Sequence, residues 1–301
     1  MNIVKEIESS PFVFFGFKPK PTSSNPWGSR TIICKSKDGL NWSTFAEIPQ
    51  LDGLRDHYVE KYKDWYYVVG TPNLYRTKDF VNFEHLYYFG SDYLDFVWAP
   101  EIFKDKDNNY HIVLTAANKG SDIAKAKRKM FIFDIDLETG KISNPWTEAL
   151  IDCGTDIDAS INLVNGKYYC FMSHNHVYVS ENYLGPYSRL GTNLPNSPNL
   201  WSSAGYVEGP ELLITNQDRL LYVDQSHNSE SGVVQSYVVY KANNFELTKW
   251  SDFKLLVCDN GNTEMRHGCF MFNDLESSIP MQKEYFPKIE PDSSLGTRVI
   301  I

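Results

Sequence analysis

Short runs of aromatic and β-branched residues recur along the chain, among them "FVFFGF", "RTIICKS", "DWYYVVGT", "NYHIVLTA", "MFIFDID", "KYYCFMS", "VYVSE", "RLLYVDQ", "SYVVYKA", "FKLLV" and "CFMF". Runs of this length and composition predict strands. The connectors between them carry turn formers such as "DNN", "ETGK", "VNGK" and "TNQD", which predict a succession of antiparallel hairpins. Almost nothing has the period of a long amphipathic helix.

The runs are themselves organised in a longer repeat. "RDHYVEKYKDWYYVVGT" from Arg55, "APEIFKDKDNNYHIVLTA" from Ala99, "IDASINLVNGKYYCFMS" from Ile157 and "GPELLITNQDRLLYVDQ" from Gly209 each read as a short apolar strand, a polar turn and a second, aromatic-rich strand. A related third piece follows the first unit ("LYRTKDFVNFEHL") and the third ("VYVSENYLGPYSRL"). It recurs near the N-terminus as "IICKSKDGLNWSTF", without an opening strand ahead of it, while a candidate opening strand, "MRHGCFMFND", lies near the C-terminus from Met265. Four complete units and one split unit of about fifty residues predict an all-β fold, a five-bladed β-propeller whose ring closes by pairing N-terminal strands with a C-terminal strand. A β-sandwich would use as many hairpins but predicts no such repeat. A single propeller domain over residues 1–301 is expected.

Composition narrows the partner. The chain has 301 residues, 42% hydrophobic, and a net charge of -9 with both signs mixed along its length, which disfavours nucleic acid and anionic membrane surfaces. The aromatic share of 15% suits strand cores and flat platforms for sugar faces. Five scattered cysteines (Cys34, Cys153, Cys170, Cys258, Cys269) without CxxC spacing read as reduced, buried thiols. The N-terminus lacks the basic start and apolar stretch of a signal peptide, so a cytoplasmic location is expected.

In a propeller the first strand of every blade lines the central axis. The openings of the five units carry Asp56, Trp98 with Glu101, Asp158, Glu208, and Arg266 with His267. Several carboxylates, a basic pair and an indole are therefore expected around one funnel. Asp52 and Asp64 compete with Asp56 for its place, and Asp156 competes with Asp158. Glu211 matches Glu101 in the "PE" pairs, which makes those two repeat-equivalent structural residues and leaves Glu208 as the functional one.

"VWAPEI", "IDAS", "VEGPEL", "RHGC", "SKDGLNW" and "TKDFVNF" together resemble the blade motifs of glycoside hydrolase family 43, a family of five-bladed propellers. The resemblance spans nearly the whole chain. It implies an inverting glycosidase acting on arabinofuranosides or xylosides, with Asp56 as general base, Glu208 as general acid and Asp158 as the third carboxylate that orients the acid and keeps its pKa up. Inversion needs an acid to protonate the leaving oxygen and a base to activate water on the opposite face. The family typically has proline after the first aspartate, where this chain has His57, and often after the second, where it has Ala159. His57, Trp98, Arg266 and His267 are candidate substrate-binding residues, Trp98 serving either the core or the edge of a sugar platform. The "HG" histidine, His267, is a candidate for a site beside a hydrated calcium ion; no cofactor is otherwise required.

The function expected is release of pentosyl units, α-L-arabinofuranosyl foremost, from a small oligosaccharide. A β-xylosidase, an endo-arabinanase or a non-catalytic carbohydrate-binding propeller are the alternatives, and the oligomeric state is open. "FKPKPTSSNPWGS" and "GTNLPNSPNLWSSAG", with Trp27 and Trp201, are expected to form rim loops, and "HNH" at 174–176 to be a loop without a metal.

Overall fold

The computed structural model describes residues 2–273 except 91–93, 123–125, 144–145, 191–206, 216–217, 230–231, 245 and 252–253. Five sheets follow one another, antiparallel except for one short parallel pairing, Val257–Cys258 against Asn41 and Trp42. Blade 1 runs Arg55–Tyr62, Trp65–Thr71, Asn73–Thr77 and Phe83–Tyr88. Blade 2 holds Leu94–Lys104, Tyr110–Asn118 and Lys129–Asp136 with two short outer pieces, Lys141–Ile142 and Thr147–Glu148. Blade 3 is Ser160–Val164, Lys167–Met172, His176–Ser180 and Ser188–Leu190, and blade 4 is Val207–Ile214, Arg219–Ser229, Gly232–Lys241 and Lys254–Leu255.

Blade 5 is the split unit. Its inner strand is Arg266–Phe272, and Phe12–Pro19, Ser29–Ser36 and Asn41–Ile48 follow outward, with Val257–Cys258 alongside the last of these. The closure is in register from Phe12 opposite Phe272 to Phe15 opposite Cys269. A propeller ring closed this way gains stability from its own ends, because every inter-strand hydrogen bond of the seam joins residues far apart in sequence.

Alternation within each strand puts apolar side chains on both faces, and neighbouring blades bury those faces against each other. The five resulting clusters lie one at each blade junction. At the seam between blades 4 and 5, Phe270 stacks on Tyr222 with centroids 3.8 Å apart and meets Phe14, Trp42 and Tyr237. Truncating a phenyl buried in this way costs about 3–5 kcal/mol. All five cysteines are buried with free thiols.

The turn chemistry behind the repeated "KD" pieces is an Asx turn. Asp38 Oδ1 accepts from the amides of Leu40 (2.9 Å) and Asn41 (2.8 Å), and Asp79 Oδ1 accepts from Val81 and Asn82, both at 2.8 Å. Blade 4 has the same device, unnoticed in sequence, in "NNFELTKW": Asn244 Oδ1 accepts from Thr248 (3.0 Å) and Lys249 (2.9 Å). Among the described residues no helix is long and apolar enough to cross a membrane.

Candidate active site

The functional side chains are aimed by a backbone irregularity that recurs in the inner strands. Pairing slips between Arg55 and Tyr58, Trp98 and Glu101, Glu208 and Glu211, and Arg266 and Cys269. Each slip is a bulge, which bends a strand and re-aims the side chains within it. Asp56, Ala99 and Gly209 adopt positive φ at these slips (56°, 39° and 48°), and Asp158 does so (60°) just ahead of the blade 3 inner strand, which pairs without a slip. Aspartate tolerates the left-handed region better than most residues, and such strain gathers at functional sites.

Glycine is required at two of these places. A Cβ on Gly209 would lie 2.6 Å from His267 Cδ2, and one on Gly268 would lie 2.0 Å from the Phe15 carbonyl oxygen. Tyr237, fully buried, ties the two bulges together: its hydroxyl accepts from Gly268 N–H at 2.8 Å and lies 3.1 Å from the Gly209 carbonyl oxygen.

The bulges, and in blade 3 the segment leading into the inner strand, bring Asp56, Asp158, Glu208, Arg266 and His267 to one end of the axis. Asp56 Oδ2 accepts from the Thr71 hydroxyl at 2.8 Å, and Thr71 Oγ1 in turn accepts from Ala99 N–H at 2.9 Å. Asp158 Oδ2 accepts from Gly209 N–H at 3.2 Å. His267 Nδ1 lies between the two aspartates, 3.4 Å from Asp56 Oδ1 and 3.6 Å from Asp158 Oδ2. Arg266 Nη2 is 3.7 Å from Glu208 Oε2.

Burial makes these charges interact strongly. Desolvation pushes the Glu208 carboxyl up to about 7, helped by the charges of Asp224 and Asp56 and opposed by Arg266 and Arg55. Asp158 is pushed well above the usual range by burial and by Glu208 and Asp56. Burial also lowers the His267 imidazole, although Asp56 and Asp224 pull the other way, so this ring is neutral near pH 7. The arrangement can therefore hold a protonated carboxylic acid beside other carboxylates at neutral pH.

Several expectations are placed differently. His57 is buried rather than lining the funnel: its Nε2 meets Thr31 Oγ1 at 2.8 Å, and burial lowers its pKa to about 3. Thr31 Oγ1 donates to the Leu51 carbonyl, so Nε2 is assigned the proton and the buried Nδ1 is left without a partner. Trp98 is half-buried, stacked on Phe96 at 5.9 Å with the Arg128 guanidinium 4.5 Å from its ring centre. Phe96 is 43% exposed and lies within an earlier slip of the same strand, between Asp95 and Trp98.

The rival acids go elsewhere. Asp52 pairs with Arg30 and Lys20, and Asp64 is exposed beside Lys78. Asp156 anchors the "HNH" turn, accepting from His174 Nδ1 (3.1 Å), His176 Nδ1 (2.6 Å) and the Tyr178 hydroxyl (3.1 Å). That turn is nearer the site than a plain loop, since the Glu208 charge helps Asp156 raise the His174 pKa. Glu101 and Glu211 take the matching position after the bulge in their blades, both buried. Among the described residues no group of three or more His, Cys, Asp or Glu side chains is arranged to hold a metal ion, His267 included, and no step below is routed through one.

The sequence reading missed Thr71 and Asp224. Asp224 lies directly across from Glu208 in the blade 4 hairpin; an acid inside the apolar run "LLYVDQ" was the available signal. Trp27 is 75% exposed on the loop that leaves blade 5 after Pro19, at the Arg266 end of the inner strand. Trp201 and the second predicted rim segment lie outside the described residues.

No family model matches the sequence, and no curated protein matches it. Solved structures do match in shape. An α-L-arabinanase from Cellvibrio cellulosa, solved with arabinohexaose, superposes with a TM-score of 0.59 at 13% identity, covering 83% of this chain and 96% of that one. A xylan β-1,4-xylosidase from Bacillus halodurans C-125 superposes with a TM-score of 0.50 at 13% identity, covering 79% of this chain and 55% of that one. The chain is thus a five-bladed β-propeller with the architecture of these carbohydrate-active enzymes, the fold that its resemblance to glycoside hydrolase family 43 implies.

Proposed function

We propose that the protein is an inverting glycoside hydrolase that releases pentosyl units, α-L-arabinofuranosyl foremost, from short oligosaccharides. The observation that carries the reading is the buried cluster itself: Asp56 and Asp158 flank His267 Nδ1 at 3.4 and 3.6 Å, and Glu208, beside Arg266, has its carboxyl pushed up to about 7 by burial and neighbouring charge. A glutamate in that state is protonated often enough at neutral pH to donate to a leaving oxygen. The arabinanase and xylosidase that share the fold make a pentoside the first substrate to try.

In the proposed reaction Glu208 gives its proton to the glycosidic oxygen as the bond from that oxygen to the anomeric carbon breaks. Asp56, oriented by the Thr71 hydroxyl, takes a proton from a water that attacks the anomeric carbon from the opposite face. The cycle leaves Glu208 ionised and Asp56 protonated, and exchange with solvent restores both. Asp158, fixed by the Gly209 amide and flanked by His267, is the third carboxyl of the cluster, and in so buried a place it and Glu208 oppose each other's ionisation. The cytoplasmic setting expected from the sequence belongs to the same proposal and favours trimming chain ends over attack on a polymer.

The test is hydrolysis of 4-nitrophenyl α-L-arabinofuranoside and β-D-xyloside by the wild type, Asp56→Ala and Glu208→Ala. Turnover of either pentoside that is lost in both variants supports the reading, and the preferred glycoside selects arabinofuranosidase or xylosidase. Activity surviving both substitutions removes the site assignment. Binding of pentose oligosaccharides without turnover would instead support a non-catalytic carbohydrate-binding propeller.

A further inference from the structure

Asp224 is fully buried in the second strand of blade 4, opposite Glu208. Residues directly opposed in an antiparallel pair project to the same face with Cβ atoms about 4.5–5.5 Å apart. One oxygen, Oδ2, accepts from Arg266 Nε at 2.8 Å and from the backbone amide of His267 at 3.0 Å. The other, Oδ1, is buried with no hydrogen-bond partner among the described residues. A buried carboxylate with one bare oxygen is destabilising, and the strand would be served at lower cost by an apolar residue such as its neighbour Val223.

The geometry explains what this arrangement does. Arg266 has its Nε on Asp224 and its Nη2 3.7 Å from Glu208, so one guanidinium is clamped between two carboxyl groups. Resting on the function proposed above, we infer that Asp224 is a positioning residue for the proton donor: it holds Arg266 in place and partly neutralises it, so that the guanidinium pairs closely with Asp224 at 2.8 Å and only loosely with Glu208 at 3.7 Å. Without Asp224, Arg266 would act as a full counter-charge to Glu208 and favour the ionised carboxylate, which cannot donate.

Other groups face Glu208 from every packed element. Asp56 and Arg55 come from blade 1, Asp158 from blade 3, His174 from the turn after Met172, and Arg266 from blade 5, where the neighbouring His267 faces Asp56 and Asp158 instead. Among these charges Asp224 has the largest effect on Glu208, after burial itself, and it raises the carboxyl. Removing its charge and releasing Arg266 act in the same direction, so the sign of the effect is fixed.

The test is a carbon-13 NMR titration of protein labelled at the glutamate side-chain carboxyl carbon, with the Glu208 signal assigned by its loss in Glu208→Gln. In Asp224→Asn, nearly the same size, the Glu208 midpoint should fall by roughly one to two pH units. In Arg266→Gln it should rise. The alkaline limb of kcat/KM on 4-nitrophenyl α-L-arabinofuranoside should move with the midpoint in each variant. A folded Asp224→Asn whose Glu208 midpoint stays at the wild-type value overturns the inference. Because the titration needs no turnover, a shifted midpoint in a protein that hydrolyses no glycoside would retain the Asp224 role and remove the proposed function. If Asp224→Asn does not fold, an Arg266→Gln midpoint that fails to rise is sufficient to refute the clamp.

Discussion

His57 makes the pH dependence of stability a quantitative test of the packing around the first bulge. The ring is 2% exposed, its Nδ1 is unpartnered, and burial lowers its pKa from 6.5 to about 3. A base whose folded pKa is depressed contributes stability that is fully present above the unfolded pKa and is lost as pH falls toward the folded one, because only the unfolded chain takes up the proton. The window is therefore pH 6.5 down to about 3. At 1.36 kcal/mol per unit, lowering the pH from 7 to 4.5 should remove about 2.5 kcal/mol through this residue alone. Urea unfolding of the wild type and His57→Gln at both pH values isolates the contribution, since the other titrating groups are common to both proteins. A glutamine amide can reach the Nε2 position and keep the donor to Thr31. The wild type should lose roughly 2.5 kcal/mol more than the variant on acidification. Equal losses would mean that His57 charges freely in the folded state and that its buried, neutral placement is wrong.

Other consequences concern the same bulges and the acid. Gly209→Ala should lower the thermal midpoint and activity together, because left-handed backbone costs an alanine roughly 1–2 kcal/mol and the new Cβ, 2.6 Å from His267 Cδ2, forces a shift worth roughly 1–3 kcal/mol more. Tyr237→Phe should cost about 1–3 kcal/mol in urea unfolding by stranding the Gly268 amide. For the wild type, kcat/KM should fall about tenfold per pH unit above about 7, as Glu208 loses its proton. Glu208→Gln should keep more activity on a 2,4-dinitrophenyl pentoside than on an arabino-oligosaccharide, because that leaving group needs no proton.

The ring was legible because each blade repeats the same local chemistry. Hairpin turns, paired aromatic strands and Asx turns at Asp38 and Asp79 recur at a readable period, and the seam was betrayed by a piece lacking its first strand. The blade 4 turn escaped notice because asparagine replaces aspartate and the turn is longer, although the indoles of Trp42 and Trp250 make the same bond, to the carbonyls of Gly39 and Leu247. At the site, Asp56, Asp158 and Glu208 could be found from the strand openings, since each stands at or just before the start of an inner strand. His57 could not be placed, because a bulge sends its two middle residues to different sides and only coordinates show that Thr31 receives the ring. Asp224 and Thr71 lie on second strands, and only the register reveals that they meet Glu208 and Asp56.

The most direct test of the central proposal is proton NMR of the sugar first released from an α-L-arabinofuranoside, recorded before the product anomers equilibrate. A water activated by Asp56 on the face opposite the Glu208 proton donor yields β-L-arabinofuranose as the first product. First appearance of the α anomer would require a covalent intermediate and two displacements, and would contradict the roles given to both carboxylates.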